Sequence, residues 1–469
     1  MAAVLPRVIN FLLVRVHTDA LETTSYAVNA DFYIWASLFA VLLTFGMETA
    51  FFRFYADSDK KDVVISTAFV TTLVSVGVFV TVTILFFDQF LVLFDFGNNR
   101  QRLKLFLGVM ALDTLAMIPF AYLRASNQPI KYAVIKLLNV AIIVAITLLS
   151  LVYYPDRINS GATVASWISE HYENTPLVNN IFIANIFGSA FSFLLVLPLL
   201  FKFKFSFDIS LLKRMLRYGW PIAIAGVAYI INENLDKFLI KRLIGDHEMG
   251  VYAACYKIAI FMNLYVMAFK LGAEPFFFNN AKKENAQKTY ALILKYFVII
   301  GGLVIIGVVG YLDLFKHLIN SNYWDALAIV PIVLMANLFL GIYHNVAVWY
   351  KLTDKTRFGM YFSIIGALIT IVLNILLLPK YGYMVAAWAT LVAYSSMAII
   401  SYLVGKKYYE VPYNILSVSK YLLLTGGLSA LLFMDAFRDN LIVASGAVLV
   451  FIIIILLSEK KELKSILKT

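Results

Sequence analysis

Apolar runs long enough to cross a bilayer recur along almost the whole chain, with short polar segments between them. A spanning helix needs about 20 such residues, and in hydrocarbon every backbone N–H and C=O must be paired within helices or closed barrels. Stretches such as VVISTAFVTTLVSVGVFVTVTILFF and LIVASGAVLVFIIIILL are too long for strands and leave no room for a soluble domain. Of 469 residues, 62% are hydrophobic and 14% charged, against an apolar share of roughly 45–50% in soluble domains. The expected fold is all-α and polytopic. About 14 spans are expected, near 4–16, 26–52, 63–87, 103–123, 131–154, 179–201, 218–243, 250–278, 290–312, 324–350, 358–379, 383–404, 415–434 and 440–458. The first is short, is broken by Pro6 and Arg7, and reads as a truncated helix, not as a signal peptide.

Lys and Arg outnumber Asp and Glu by 39 to 28, a balance that in a soluble chain would suggest nucleic acid. Here the charges alternate with the loops, as the positive-inside rule requires. Lys60, Lys61, Arg124, Lys131, Lys202, Lys204, Lys213, Arg214, Arg217, Lys282, Lys283 and Lys288 fall on one side, as do Lys351, Lys355, Arg357, Lys406, Lys407 and the tail EKKELKSILKT. The opposite loops, HTDALETTS, SEHYENTP and MDAFRDN, are mixed or acidic. An even number of spans then places both termini in the cytoplasm, and no nucleic-acid partner is expected. One cysteine and five scattered histidines give neither a disulfide nor a metal site. Without G-x-x-x-x-G-K-[ST] or G-x-G-x-x-G, no nucleotide cofactor is expected. In the longest outer loop, Ser160 as N-cap and Val164, Trp167, Ile168, His171 and Tyr172 on one face describe either a short helix on the membrane surface or an irregular packed loop.

The chain also contains a repeat. An offset of 226 residues lays YAVNADFYIWASLFAVLLTFGMETAFF over YAACYKIAIFMNLYVMAFKLGAEPFFF without a gap, matching Tyr26 with Tyr252, Gly46 with Gly272 and Glu48 with Glu274. Equivalent positions lie six spans apart, so the two copies share one membrane orientation, as halves related by an axis along the membrane normal do. Residues 1–203 and 218–405 are expected to be pseudo-symmetric six-helix lobes around a cavity. A basic linker, 204–217, would join them, and 406–469 would add two further helices and a basic tail.

Ionisable groups inside spans are costly and mark function. Glu48 and Glu274 are expected at the inner mouth of the cavity, gating it or coupling an ion. The seventh span adds Asn232, Glu233, Asn234, Asp236 and Lys237, of which Glu233 and Lys237 either pair along the helix or serve the cavity. Arg7, Lys257 and Lys270 are further candidates, Lys136 lies in the fifth span, and Asp31 aligns with Lys257. Arg15 and Arg124 sit near enough to helix ends to snorkel. Several cations in one cavity suit an anionic head, because guanidinium and ammonium groups bind phosphate by charge-assisted hydrogen bonds.

PRVINFLLVRVHTDAL, TFGMETAFFRF, GVYAACYKIA, GAEPFFF and LPKYGYMVAAWATLVAY resemble the lipid-linked oligosaccharide flippases of the multidrug/oligosaccharidyl-lipid/polysaccharide (MOP) superfamily, in particular the bacterial O-antigen and capsule type. The resemblance covers nearly the whole chain. It implies two six-helix lobes in a V shape, two extra helices, and alternating access. The implied substrate is an undecaprenyl-pyrophosphate-linked oligosaccharide, moved to the outer leaflet of the inner membrane. It also implies a cationic cavity, with Arg7 matching a first-helix arginine and Glu48 and Arg53 a second-helix motif. Membrane lipids, H+ or Na+, and polysaccharide assembly proteins are the implied partners. The family has a further half helix before the Pro-Arg step, which this sequence lacks. The rivals are a multidrug or cation antiporter of the same superfamily, whose cavity should be more acidic, and a membrane glycan polymerase or transferase. For the latter, the outer loop's Asp156, Glu170, His171 and Glu173 make a thin catalytic set, so no enzyme is expected.

Overall fold

The computed structural model describes residues 5–96, 99–281, 283–353, 355, 357–438, 440–460 and 462; the side chains of 5–8, 10, 274, 275, 278 and 279 fall outside that description. Among the described residues there is helix and no strand. The first helices are α1 (Leu5–Ala20), α2 (Thr23–Thr44), α3 (Met47–Ala56), α4 (Lys61–Leu85), α5 (Phe87–Leu93), α6 (Arg100–Ala125) and α7 (Pro129–Leu148). A π turn (Leu149–Tyr153) leads to α8 (Tyr154–Asn159), α9 (Ser166–Asn174), α10 (Asn179–Leu200) and the long α11 (Ile209–Leu243). Next come α12 (Asp246–Ile258), α13 (Ile260–Asn280), α14 (Ala286–Gly310), α15 (Leu312–Phe315), α16 (Ile329–Val346) and α17 (Val348–Leu352). The last are α18 (Arg357–Tyr381), α19 (Met384–Gly405), α20 (Ile415–Phe433) and α21 (Leu441–Ser458). Asn99, Asn414 and Asn440 start α6, α20 and α21 by accepting from the otherwise orphaned N–H groups of the first turn.

Among the described residues, eleven helices have the length and apolarity to cross a membrane, and the bent pair α12–α13 makes a twelfth. This is a multi-pass membrane protein. Two expected spans fall short of that test for local reasons: α1 has 16 residues, and α11 carries Glu233, Asp236, Lys237, Lys241 and Arg242 in one half.

The chain divides into two compact units, Met1–Asn234 and Leu235–Thr469, with the boundary inside α11. The basic residues from Ile209 onward form the first turns of that helix. In unit 1, α10 packs on α6 and α7. Met47, Ala50, Phe51, Val64, Ile65, Ala68, Ile118 and Ala121 of α3, α4 and α6 enclose Leu211 and Met215 of α11. In unit 2, α19 packs between α16 and α18, and α14 receives α20 and α21. There Lys295, nearly buried, bonds Glu459 at 2.7 Å and also Glu462, while the Tyr421 hydroxyl donates to Glu459 at 2.8 Å. That clamp fastens the last two helices.

Three expected features come out differently. The span expected at 26–52 is broken into α2 and α3 where Phe45 and Gly46 take φ of 48° and 70°, a left-handed pair that glycine tolerates and that helix cannot continue through. The break admits close approach: a Cβ on Gly46 would lie 2.3 Å from the Gly219 carbonyl oxygen of α11. The span expected at 250–278 bends by 49° between α12 and α13. In the loop before α10, Ser160 caps no following helix; its hydroxyl donates back to the Arg157 carbonyl at the end of α8, and Ala165 precedes α9. α9 exists, with Ile168 buried, His171 bonded to Asn180 and the Tyr172 hydroxyl donating to the Ser150 carbonyl at 2.6 Å. The face expected on the membrane is thus turned to protein, and Trp167, 69% exposed, points away from it.

Candidate functional site

In unit 1 the break after Thr44 starts α3 afresh, and Glu48 lies in its first turn, where the helix dipole favours a carboxylate. Its partner is Arg124, at the end of α6, with both side chains left part-exposed. Arg124 therefore does not simply snorkel: its guanidinium is backed by the rings of Phe52 at 4.9 Å and Tyr132 at 5.3 Å, joining α3, α6 and α7. Lys136 of α7 sits 4.3 Å over the Phe120 ring and feels the charges of Asp113, Arg124 and Glu48. Asp113 has the Ser189 hydroxyl beside it and acts electrostatically on Tyr33, whose hydroxyl accepts a 2.7 Å bond from Asn185. A strip of polar groups thus follows α6 along unit 1.

In unit 2 the charges are more enclosed. Asp236 is buried and bonded by the Lys237 ammonium at 3.1 Å, the Lys237 amide at 2.8 Å and the Tyr252 hydroxyl at 2.8 Å. Lys237 also lies 3.7 Å over the Tyr256 ring. Charge-assisted bonds of this kind meet the desolvation cost of both ions. Glu233 is half-buried one turn earlier, and Lys257 is exposed on α12 within the field of Lys237. Lys270 is half-buried on α13 and acts, with Lys351, on His344.

Of the remaining candidates, Arg53 is exposed and stacks 4.4 Å over Tyr218. The side chains of Arg7 and Glu274 lie outside the described residues. Asp31 is wholly buried. Sequence reasoning passed over Asp113, although a lone carboxylate in the middle of LGVMALDTLAMIPF was there to be read, and it misjudged Arg124 because Glu48 is distant in sequence. Among the described residues no group of three His, Cys, Asp or Glu side chains is placed to hold a metal ion.

The fold matches a structure of the lipid II flippase MurJ in an inward closed conformation over 98% of each chain, with a TM-score of 0.76 at 17% identity. An inward-facing multidrug resistance MATE transporter of the MOP superfamily matches 88% of this chain and 96% of its own, with a TM-score of 0.63 at 12% identity. A MATE structure in the bent conformation matches over 90% and 93%, at 0.58 and 13%. At such identities the likeness is one of fold, and the class is a polytopic, all-helical membrane protein with the fold that these solved structures share. Residues 1–280 match the family model described as polysaccharide biosynthesis protein, and residues 221–376 match the MatE model. The chain belongs to the polysaccharide biosynthesis protein family. No curated relative matches the sequence.

Proposed function

We propose that this protein moves an undecaprenyl-pyrophosphate-linked oligosaccharide from the cytoplasmic to the periplasmic leaflet of the bacterial inner membrane, by alternating access, for polysaccharide biosynthesis of the O-antigen or capsule type. The observation that carries this reading is membership of the polysaccharide biosynthesis family over residues 1–280, joined to a fold shared end to end with a lipid II flippase. In this reading residues 1–203 and 218–405 are the alternating lobes, 204–217 the cytoplasmic linker and 406–469 the added helices, with both termini cytoplasmic. Arg7, Arg53, Lys237, Lys257 and Lys270 attract the pyrophosphate, and Glu48, Glu233, Asp236 and Glu274 gate the path or couple H+ or Na+. The membrane potential supplies a further drive of about 2.3 kcal/mol per charge per 100 mV. No bond is made or broken, so the protein acts as a carrier and not as an enzyme, handing its cargo to assembly proteins.

The test is reconstitution of the full chain in liposomes with a fluorescent undecaprenyl-pyrophosphate oligosaccharide. Translocation that slows in Glu48→Gln or Asp236→Asn supports the reading. Export of cationic dyes without movement of the lipid would instead favour an antiporter, the reading that the MatE match over 221–376 supports. Unchanged transport and pH dependence across the amide variants of all four carboxylates would exclude ion coupling through them.

A further inference from the structure

The charges where α3, α6 and α7 meet in unit 1 balance one another. Glu48 and Asp113 supply two negative charges, Arg124 and Lys136 two positive ones. Glu48 and Arg124 pair while keeping 42% and 37% of their side chains exposed, and Asp113 is exposed as well. Charges bared to hydrocarbon are costly enough that the face they share must be wet. The Arg124 guanidinium lies over the rings of Phe52 and Tyr132, and the Lys136 ammonium over that of Phe120, so aromatic faces hold both charged heads in place. An arginine fork accepts carboxylate and phosphate oxygens in the same planar geometry. The carboxylate on Arg124 thus occupies a place that a phosphate can take.

We propose that Arg124 and Lys136 form a site for the phosphates of the transported lipid, and that Glu48 is its resident anion, displaced when substrate arrives. The inference rests on the flippase reading above. It explains why a half-exposed arginine at a helix end is paired at all: an empty site without Glu48 would leave the guanidinium unmatched. It also explains how a carrier with cations in its path avoids trapping its cargo. The incoming phosphates must break an existing pair, so binding stays strong enough to load and weak enough to release. A neutral glycolipid has nothing with which to displace a carboxylate. The site therefore selects for the phosphate, whatever glycan it bears.

The full chain in lipid nanodiscs provides the test, with undecaprenyl pyrophosphate and inorganic pyrophosphate as separate probes. Glu48→Gln is expected to bind undecaprenyl pyrophosphate about tenfold more tightly than the unaltered protein, a change read directly in the dissociation constant. The double variant Glu48→Gln/Arg124→Gln removes both charges without leaving either unmatched, so it keeps the fold, and it is expected to bind more weakly than the unaltered protein. Competition by inorganic pyrophosphate, enhanced by the same Glu48→Gln change, supports a site that reads phosphate alone. Lipid binding that follows the same order of variants without such competition supports one that reads phosphate on its lipid. Equal or weaker binding by Glu48→Gln overturns the resident anion, and a double variant that binds like the unaltered protein overturns the site. If the unaltered protein binds neither probe, the flippase reading itself falls.

Discussion

In unit 1 the duplicated stretch breaks at Phe45 and Gly46; in unit 2 it bends at Ala259, which aligns with Tyr33, while Gly272, the counterpart of Gly46, lies inside α13. Several apolar positions nevertheless keep their burial. Tyr26 and Tyr252, Ala27 and Ala253, and Phe51 and Phe277 are all buried. The charged positions do not: Asp31 is buried and its counterpart Lys257 exposed. A repeat preserves what depends on its own helical face, because packing is periodic along the helix. What depends on a neighbour is not fixed by that face: Glu48 keeps an identical counterpart in Glu274, but the Arg124 that answers Glu48 comes from another helix.

The largest effects should show the copies behaving alike. Phe51→Ala and Phe277→Ala each empty a buried site, 0% and 3% exposed, and each should lower unfolding free energy in detergent by about 3–5 kcal/mol. A loss in one copy alone would break the equivalence. Next is the clamp, which belongs to unit 2: at the same offset Lys295 stands where unit 1 has the aromatic Phe69. Lys295→Met strands Glu459 and Glu462 and should cost about 3 kcal/mol, whereas a Met at position 69 should be tolerated, both read by thermal unfolding.

A smaller and opposite test uses one substitution twice. Gly46→Ala meets both a left-handed backbone and the Gly219 carbonyl and should destabilise by about 2 kcal/mol. Gly272→Ala meets nothing within 4 Å and should stabilise by up to about 1 kcal/mol. The smallest effect is one of acidity. Burial works to raise the Glu459 carboxyl, but hydrogen bonds from Lys295 and Tyr421 outweigh it and leave its pKa below the ordinary value. The stability this contributes is present above the ordinary carboxylate range and disappears as pH falls through the lowered value. Melting temperature should therefore drop at strongly acidic pH, and Glu459→Gln should blunt that drop.

Much of the architecture was legible because hydrophobicity over a span is a sum that tolerates error in any one residue. The all-helical membrane class and the Tyr26 and Tyr252 register follow from such sums. Breaks were less legible, since the close approach of Gly46 to the Gly219 carbonyl of α11 is one that no local pattern names. The charges divided in the same way. Asp236 and Lys237 stood out as adjacent polar residues in an apolar helix, but the bond from Tyr252 and the stacking on Tyr256 come from α12. Glu48 could be singled out from its own helix, but its partner could not.

The π turn between α7 and α8 adds a last point. Such a turn is an α-helix carrying one residue too many, and here it presents the Ser150 carbonyl to Tyr172. Because the turn absorbs that residue, deleting any one of Leu149–Tyr153 would restore ordinary winding and leave the helix beyond it in nearly the same register relative to α7. The Ser150 carbonyl would then be drawn back into the helix's own ladder, and the Tyr172 hydroxyl would lose its acceptor. A single inserted codon is thus a means by which a lineage of such proteins can free one carbonyl for a tie to a neighbouring segment while both ends of a spanning helix stay seated.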